Sequence, residues 1–135
     1  MIPSNPVRIR LPLFVSIVLI ATSVMAQSPP KYDRATETTV KGIVGELKLV
    51  PPTGSNPIAY LVTKTGPDKE RDLIDIFLCP KKFLDQMGIT FKPDEEIEIK
   101  GSKVKQAGSD LILAREMVKA GETLTFRFED GKPVW

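Results

Sequence analysis

From Thr38 onward apolar residues recur at about every second position, the period of a strand whose two faces meet different surroundings. The segment "TTVKGIVGELKLV" (residues 38–50) is rich in β-branched residues and reads as the first strand, interrupted by Gly42 and Gly45. Glycine inside a strand marks a bend, a bulge or a close backbone approach. "PPTGSNP" (residues 51–57) is a loop, and "IAYLVTKT" (residues 58–65) is a second strand. "GPDKER" (residues 66–71) is a turn. "DLIDIFLC" (residues 72–79) is a third strand, with Ile74, Ile76 and Leu78 on one face and Asp75 and Phe77 on the other.

The period then changes. "PKKFLDQMG" (residues 80–88) puts proline at a natural first helical position and glycine at the stop, with Phe83, Leu84 and Met87 forming one short apolar face. Alternation resumes where Ile97 and Ile99 are interleaved with Glu96, Glu98 and Lys100, a half-exposed fourth strand. "SDLILAREMVK" (residues 109–119) is a fifth, and "ETLTFRFED" (residues 122–130) a sixth with Leu124, Phe126 and Phe128 on one face. The fold class is all-β with one short helix. The order β-β-β-α-β-β plus an extra C-terminal strand is that of an OB-fold-like small β-barrel. The alternative is another small barrel or a sandwich. A long first strand with Gly42 and Gly45 inside it suits the barrel, because that strand must curve to pair with neighbours on both sides.

The first residues follow a different rule. Arg8 and Arg10 precede an apolar run of about 15 residues, and Val24-Met25-Ala26 offers small residues at a cleavage site. A membrane-spanning helix wants about 20 apolar residues. Residues 1–26 are therefore expected to be a signal peptide, the alternative being a retained anchor. No cysteine follows the run closely enough for a lipid anchor. Residues 27–36, containing "QSPPKYDR", read as a flexible leader, and residues 37–135 as a single OB-like domain without internal repeats. No transmembrane helix is expected after cleavage. The expected location is exported, periplasmic or secreted.

Cleavage also changes the charge. The chain has 19 Lys and Arg against 17 Asp and Glu, and the signal removes two arginines and no acid. The remainder is formally neutral, with no global field to draw nucleic acid or anionic lipid.

Counting alone excludes much chemistry. With no histidine and one cysteine there is no Ser-His-Asp set, Cys-His pair, HExxH helix, Cys/His zinc site or CxxCH haem attachment. An internal disulfide is impossible. Cys79 stands at the end of an apolar strand with no histidine to act as its base, so it is expected to be buried and inert. Asp94, Glu95, Glu96 and Glu98 lack the spacing of a calcium loop and read as a wet strand face. No metal, cofactor or catalytic residue is expected. An OB barrel binds ligands on its second and third strands and the adjoining loops. On that face the candidate ligand-binding residues are Tyr60, Lys64, Lys69, Arg71 and Phe77. Asp68, Glu70, Asp72 and Asp75 interleave with those cations, which argues against a nucleic-acid groove. The ending "GKPVW" should return Val134 and Trp135 to the barrel, closing one of its ends, with Trp135 structural like Gly42, Gly45 and Cys79.

The segment "KPDEEIEIKGSKVKQAGSDLILAREMVKAGETLTFRFEDGKPVW" resembles the C-terminal half of small exported bacterial domains. Their pattern runs GD-x-V-x-V-x-G-S, then L-I-A-R-E-V, then L-x-L-R-x-x-x-G-x-P-x-W. Upstream, "IFLCPKKFLDQMG" is similar to L-G-P-x-x-F-L-x-x-x-G. Those domains look like the one shared by the magnetosome proteins MamS and MamX, and the resemblance covers about residues 38–135. The family tends to have glycine where this chain has Cys79, which implies a tight backbone position rather than a catalytic thiol. Some relatives carry haem-attachment motifs, which this chain cannot.

The function expected from these readings is an exported, non-enzymatic OB-like binding module of the cell envelope. Its partner would be an envelope protein or a small ligand, and not nucleic acid. The alternative is a stress-type periplasmic OB domain that binds a small or polyanionic ligand.

Overall fold

The computed structural model describes residues 30–54, 56–67 and 72–135. The expected signal peptide lies outside the described residues. Six strands and one α-helix follow in the order β1 (Glu37–Val50), β2 (Ile58–Lys64), β3 (Leu73–Pro80), α1 (Lys81–Met87), β4 (Glu96–Gln106), β5 (Ser109–Lys119) and β6 (Glu122–Thr125). The sheet order is β3-β2-β1-β4-β5-β6, and a parallel pairing of β3 with β5 closes the first five strands into a barrel. This is the small OB-like barrel expected, with an extra strand on its side.

β1 makes the closure possible. Its first half, Glu37 to Ile43, pairs with β4, and its second half, Ile43 to Val50, pairs with β2. A register shift falls between Val44 and Glu46, around Gly45. A Cβ on Gly45 would meet the Val62 carbonyl oxygen at 2.9 Å, and one on Gly42 would meet the Lys64 oxygen at 2.8 Å. The two glycines let β1 bend against β2 where a side chain would collide with its backbone. β5 divides one of its edges in a similar way: Leu111 to Leu113 pair with β3, and Glu116 to Lys119 with β6.

Inside the barrel, Val44, Leu61, Ile76, Leu78, Ile97, Ile99, Ile112, Met117 and Phe126 form one apolar cluster. Burying each such side chain is worth about 1.5–3 kcal/mol. α1 contributes Leu84 to this cluster. The helix begins after Pro80 and stops at Gly88, whose neighbour Ile89 donates its N–H back to the Leu84 carbonyl. Met87, expected on the helix's apolar face, is 61% exposed. The helix has only two turns, and Leu84 alone enters the core, so Met87 faces water.

The sixth strand is shorter than its alternation implies. It ends at Thr125, and the segment from Phe126 folds into a narrow loop instead. Phe128 N–H binds the Lys132 carbonyl, Val134 N–H binds the Phe126 carbonyl, and Arg127 bridges to Pro133. Phe126 is fully buried, whereas Phe128, expected on the same face, is 57% exposed. The turn at Asp130-Gly131 sends the tail back along residues 126–128 and leaves Phe128 outside the barrel.

Residues 32–36, read as the end of a flexible leader, are tied down. Arg34–Thr36 is a 3-10 turn capped by Asp33. Asp33 N–H donates to Ser102 Oγ at 3.0 Å, and Thr36 Oγ1 lies 2.8 Å from the same oxygen. Among the described residues no helix is long and apolar enough to cross a membrane.

Candidate functional site

The barrel interior is filled with apolar side chains, and the grooves lie on its outside. Antiparallel pairing sets the outer row: Lys48 on β1, Tyr60 on β2 and Phe77 on β3 are adjacent, and Leu113 on β5 lies beside Phe77. Tyr60 and Phe77 meet edge to face with centroids 5.3 Å apart. Phe77, Leu111 and Leu113 form a second apolar cluster, packed against Tyr32, Ile58, Tyr60 and Val104.

That patch is covered by both ends of the domain. Arg127 is only 7% exposed and lies over three ring faces: Tyr32 at 5.7 Å, Phe77 at 5.8 Å and Trp135 at 5.2 Å. Its Nη1 donates to the Gly131 carbonyl at 2.9 Å, and its buried Nε has no hydrogen-bond partner among the described residues. Burial pulls its pKa down from the usual guanidinium value. A guanidinium stays charged in proteins, and ring faces offset part of its lost hydration. Gly131 makes room, because a Cβ there would meet the Tyr32 ring at 2.6 Å.

A polar network continues beside it. Tyr32 Oη donates to Glu37 Oε2 at 2.7 Å, and the buried Arg115 reaches Glu37 at 3.1 Å and Glu116 at 3.0 Å. Burial, then the Glu37 carboxylate, push the Tyr32 hydroxyl up to about 12. The Tyr32 hydrogen bond, with the charge of Arg115, holds Glu37 below the ordinary carboxyl range.

Of the five residues proposed from sequence, Tyr60, Lys64 and Phe77 are described. Tyr60 and Phe77 touch, but Phe77 is roofed by Arg127 and cannot offer a free ring face. Lys64 lies at the far end of β2, 3.7 Å from Asp94. Lys69 and Arg71 lie outside the described residues. Lys64 instead borders a groove of about 580 Å³ with Lys41, Ile43, Glu96, Glu98 and Val118. Its lysines are matched by acids, since Lys41 also reaches Glu98 at 3.9 Å.

A second groove, of about 550 Å³, runs between α1 and the C-terminal tail. Ile58, Pro80, Phe83, Val134 and Trp135 give it an apolar floor and wall, and Asn56, Lys82 and Gln86 its polar rim. Phe83 and Trp135 are tilted at 52° with centroids 6.1 Å apart. Trp135 is therefore docked between Arg127 and Phe83 and remains 38% exposed.

Sequence reasoning passed over Tyr32, Glu37, Arg115 and Arg127. The signal for Arg127 was present: an arginine between Phe126 and Phe128, in a strand otherwise read as alternating. Cys79 is fully buried, and burial pushes its thiol up to about 12. At that value almost no thiolate exists near neutral pH. Among the described residues, no three Cys, Asp or Glu side chains converge to hold a metal ion.

Residues 36–124 match the model of the MamS/MamX magnetosome protein family. Comparisons with curated proteins and with solved structures return no match.

Proposed function

The chain belongs to the MamS/MamX magnetosome protein family, and on that premise we propose that it is an exported, non-enzymatic binding module of the cell envelope. The observation that carries this reading is the open groove between α1 and the tail. It combines two aromatic rings, an aliphatic floor and a few polar groups, the composition of recognition sites. The filled barrel interior supports it, since no internal ligand chamber competes with the outer face. The leading peptide, with its two arginines, apolar run and Val24-Met25-Ala26, supports export. The family's association with magnetosomes does not carry a role across, because a shared fold hosts many functions.

The test is affinity capture from envelope extracts with the domain from residue 27 onward, alongside an intact-mass measurement of the exported protein. The expected results are a partner retained at physiological salt and a mass lacking residues 1–26. A protein keeping its full N-terminus in the membrane fraction would contradict cleavage. Retention of nothing beyond a control domain would contradict the binding role. The alternative, a small-ligand domain, draws on the groove's volume, which suits a small organic molecule. It is checked by a thermal-shift ligand screen, since a ligand that binds only the folded state raises its melting temperature.

A further inference from the structure

The leader that covers the Phe77 patch is held by few contacts. Of residues 31–36 only Tyr32 is partly withdrawn from water, and the rest are exposed. Apart from that side chain, the segment is tied to the barrel at Ser102 Oγ, through the Asp33 N–H and Thr36 Oγ1. Few buried contacts and exposed hydrogen bonds mark a segment that opens locally, before the fold around it does.

The place that Tyr32 fills is built by residues outside residues 31–36. Its floor is the cluster of Phe77, Leu111 and Leu113. The Arg127 guanidinium lies over the Tyr32 ring at 5.7 Å, and Gly131 leaves the ring the room that a Cβ would take. At the hydroxyl end Glu37 Oε2 accepts at 2.7 Å, and Arg115 Nε holds the same oxygen at 3.1 Å. Arg115 and Arg127 are each only 7% exposed, and Arg127 Nε has no partner among the described residues. Shielding Phe77 from water needs none of these charges, since an aliphatic cover would do it without the cost of burying a guanidinium. Each of them instead reads one part of a tyrosine: a cation for the ring face and a fixed carboxylate for the hydroxyl. Ser102 then takes the N–H of the following residue, which marks the occupant as a polypeptide. We propose that this slot recognises a tyrosine side chain of a partner polypeptide, and that Tyr32 occupies it as an intramolecular competitor that must lift before the partner enters. The slot lies apart from the groove beside α1 and stands whether or not that groove binds.

The experiment compares the wild-type protein with Tyr32→Ala and Tyr32→Phe. Tyr32 lies outside the barrel's apolar cluster, so folding should be retained, and circular dichroism verifies it. The probes are p-cresol, toluene and a synthetic peptide with the leader's own sequence, "PKYDRAT". Trp135, the only tryptophan, reports binding through Arg127. In Tyr32→Ala, p-cresol should bind, and toluene about tenfold more weakly, because Glu37 then lacks its donor. The peptide should bind Tyr32→Ala about a hundredfold more tightly than wild type, the factor expected of a leader that is open about 1% of the time. Tyr32→Phe, a weaker competitor, should fall between them. Hydrogen exchange at the Asp33 and Thr36 amides should be at least roughly tenfold faster than at Leu61 and insensitive to low denaturant. If folded Tyr32→Ala ignores p-cresol, or takes toluene as well, the phenol assignment is overturned. Binding of p-cresol without the peptide overturns the polypeptide occupant. Equal peptide affinity for wild type and Tyr32→Ala overturns the slot as the site, and leader amides that exchange only with the core overturn the competitor. A wild-type dimer that Tyr32→Ala abolishes would overturn the partner and give the slot to a second copy of the chain.

Discussion

Ile76 and Phe77 are consecutive residues on β3, and both are withdrawn from water, but by different parts of the chain. Ile76 points into the barrel, where strands meet strands and almost every neighbour is aliphatic. Phe77 points outward, and its cover comes from the chain ends: Tyr32 before the first strand and Arg127 after the last. Closing the sheet shields the first face without burying a charge. Shielding the second requires a nearly buried guanidinium with an unpartnered Nε and two terminal segments held in place. The inside is therefore a property of the sheet, and the outside patch a property of the clasp between the ends. Terminal segments have the lowest opening free energies in most domains, so the outer patch should loosen before the barrel does.

The largest expected effect tests that division on adjacent residues. Ile76→Ala should cost about 4 kcal/mol, because the barrel cannot collapse around the lost atoms. Phe77→Ala should cost about 2 kcal/mol, the clasp relaxing into the space. Denaturant unfolding of both variants measures the gap, and equal losses would erase the distinction between the two faces.

The second effect concerns the clasp itself. Arg127→Ala removes three ring contacts and the Gly131 hydrogen bond, and should cost about 2 kcal/mol. It should also shift Trp135 emission to the red without unfolding the barrel. In a double-mutant cycle with Tyr32→Ala the losses should fall short of additivity by about 1 kcal/mol, since both changes dismantle one unit. Strict additivity would mean that the leader and the tail are held separately.

The smallest effect is a pH dependence confined to the clasp. Glu37 is depressed in the fold by Tyr32 and Arg115, so its unfolded pKa, about 4.3, is the higher of the two. The stabilisation is complete above that unfolded value and is lost as pH falls through the lower folded one. Glu37→Gln should cost about 1 kcal/mol at neutral pH, the scale of a partly exposed hydrogen bond. It should also make the acid limb of the stability curve shallower. An unchanged acid limb in the variant would show that the network adds no pH-dependent stability.

How much of this was legible follows from the kind of signal each feature leaves. Alternation located the strands, and the change of period at Pro80 located the helix, because those patterns reflect contacts repeated along a segment. Alternation misjudged Phe128 and the helical spacing misjudged Met87, each lying beyond the last residue of its segment that enters the core. Tyr32 was hidden in a polar, proline-bearing stretch, and nothing local distinguishes a tyrosine docked on a distant sheet from one in solvent. Of the residues named from the second and third strands, Phe77 is roofed by Arg127, and the groove beside α1 is lined by that helix and the tail, contacts that leave no local pattern.

The sequence by itself determined the strand and helix order, the absence of histidine chemistry, and the glycines at which β1 has to bend. Each is set by residue type or by neighbours a few positions away. Only the tertiary structure decided that β3 meets β5, that the two ends of the domain cross over Phe77, and that Arg127 is buried among aromatic rings. Those contacts join residues far apart in the chain, and a pairing chosen by the closure of a barrel leaves no periodic trace in either partner.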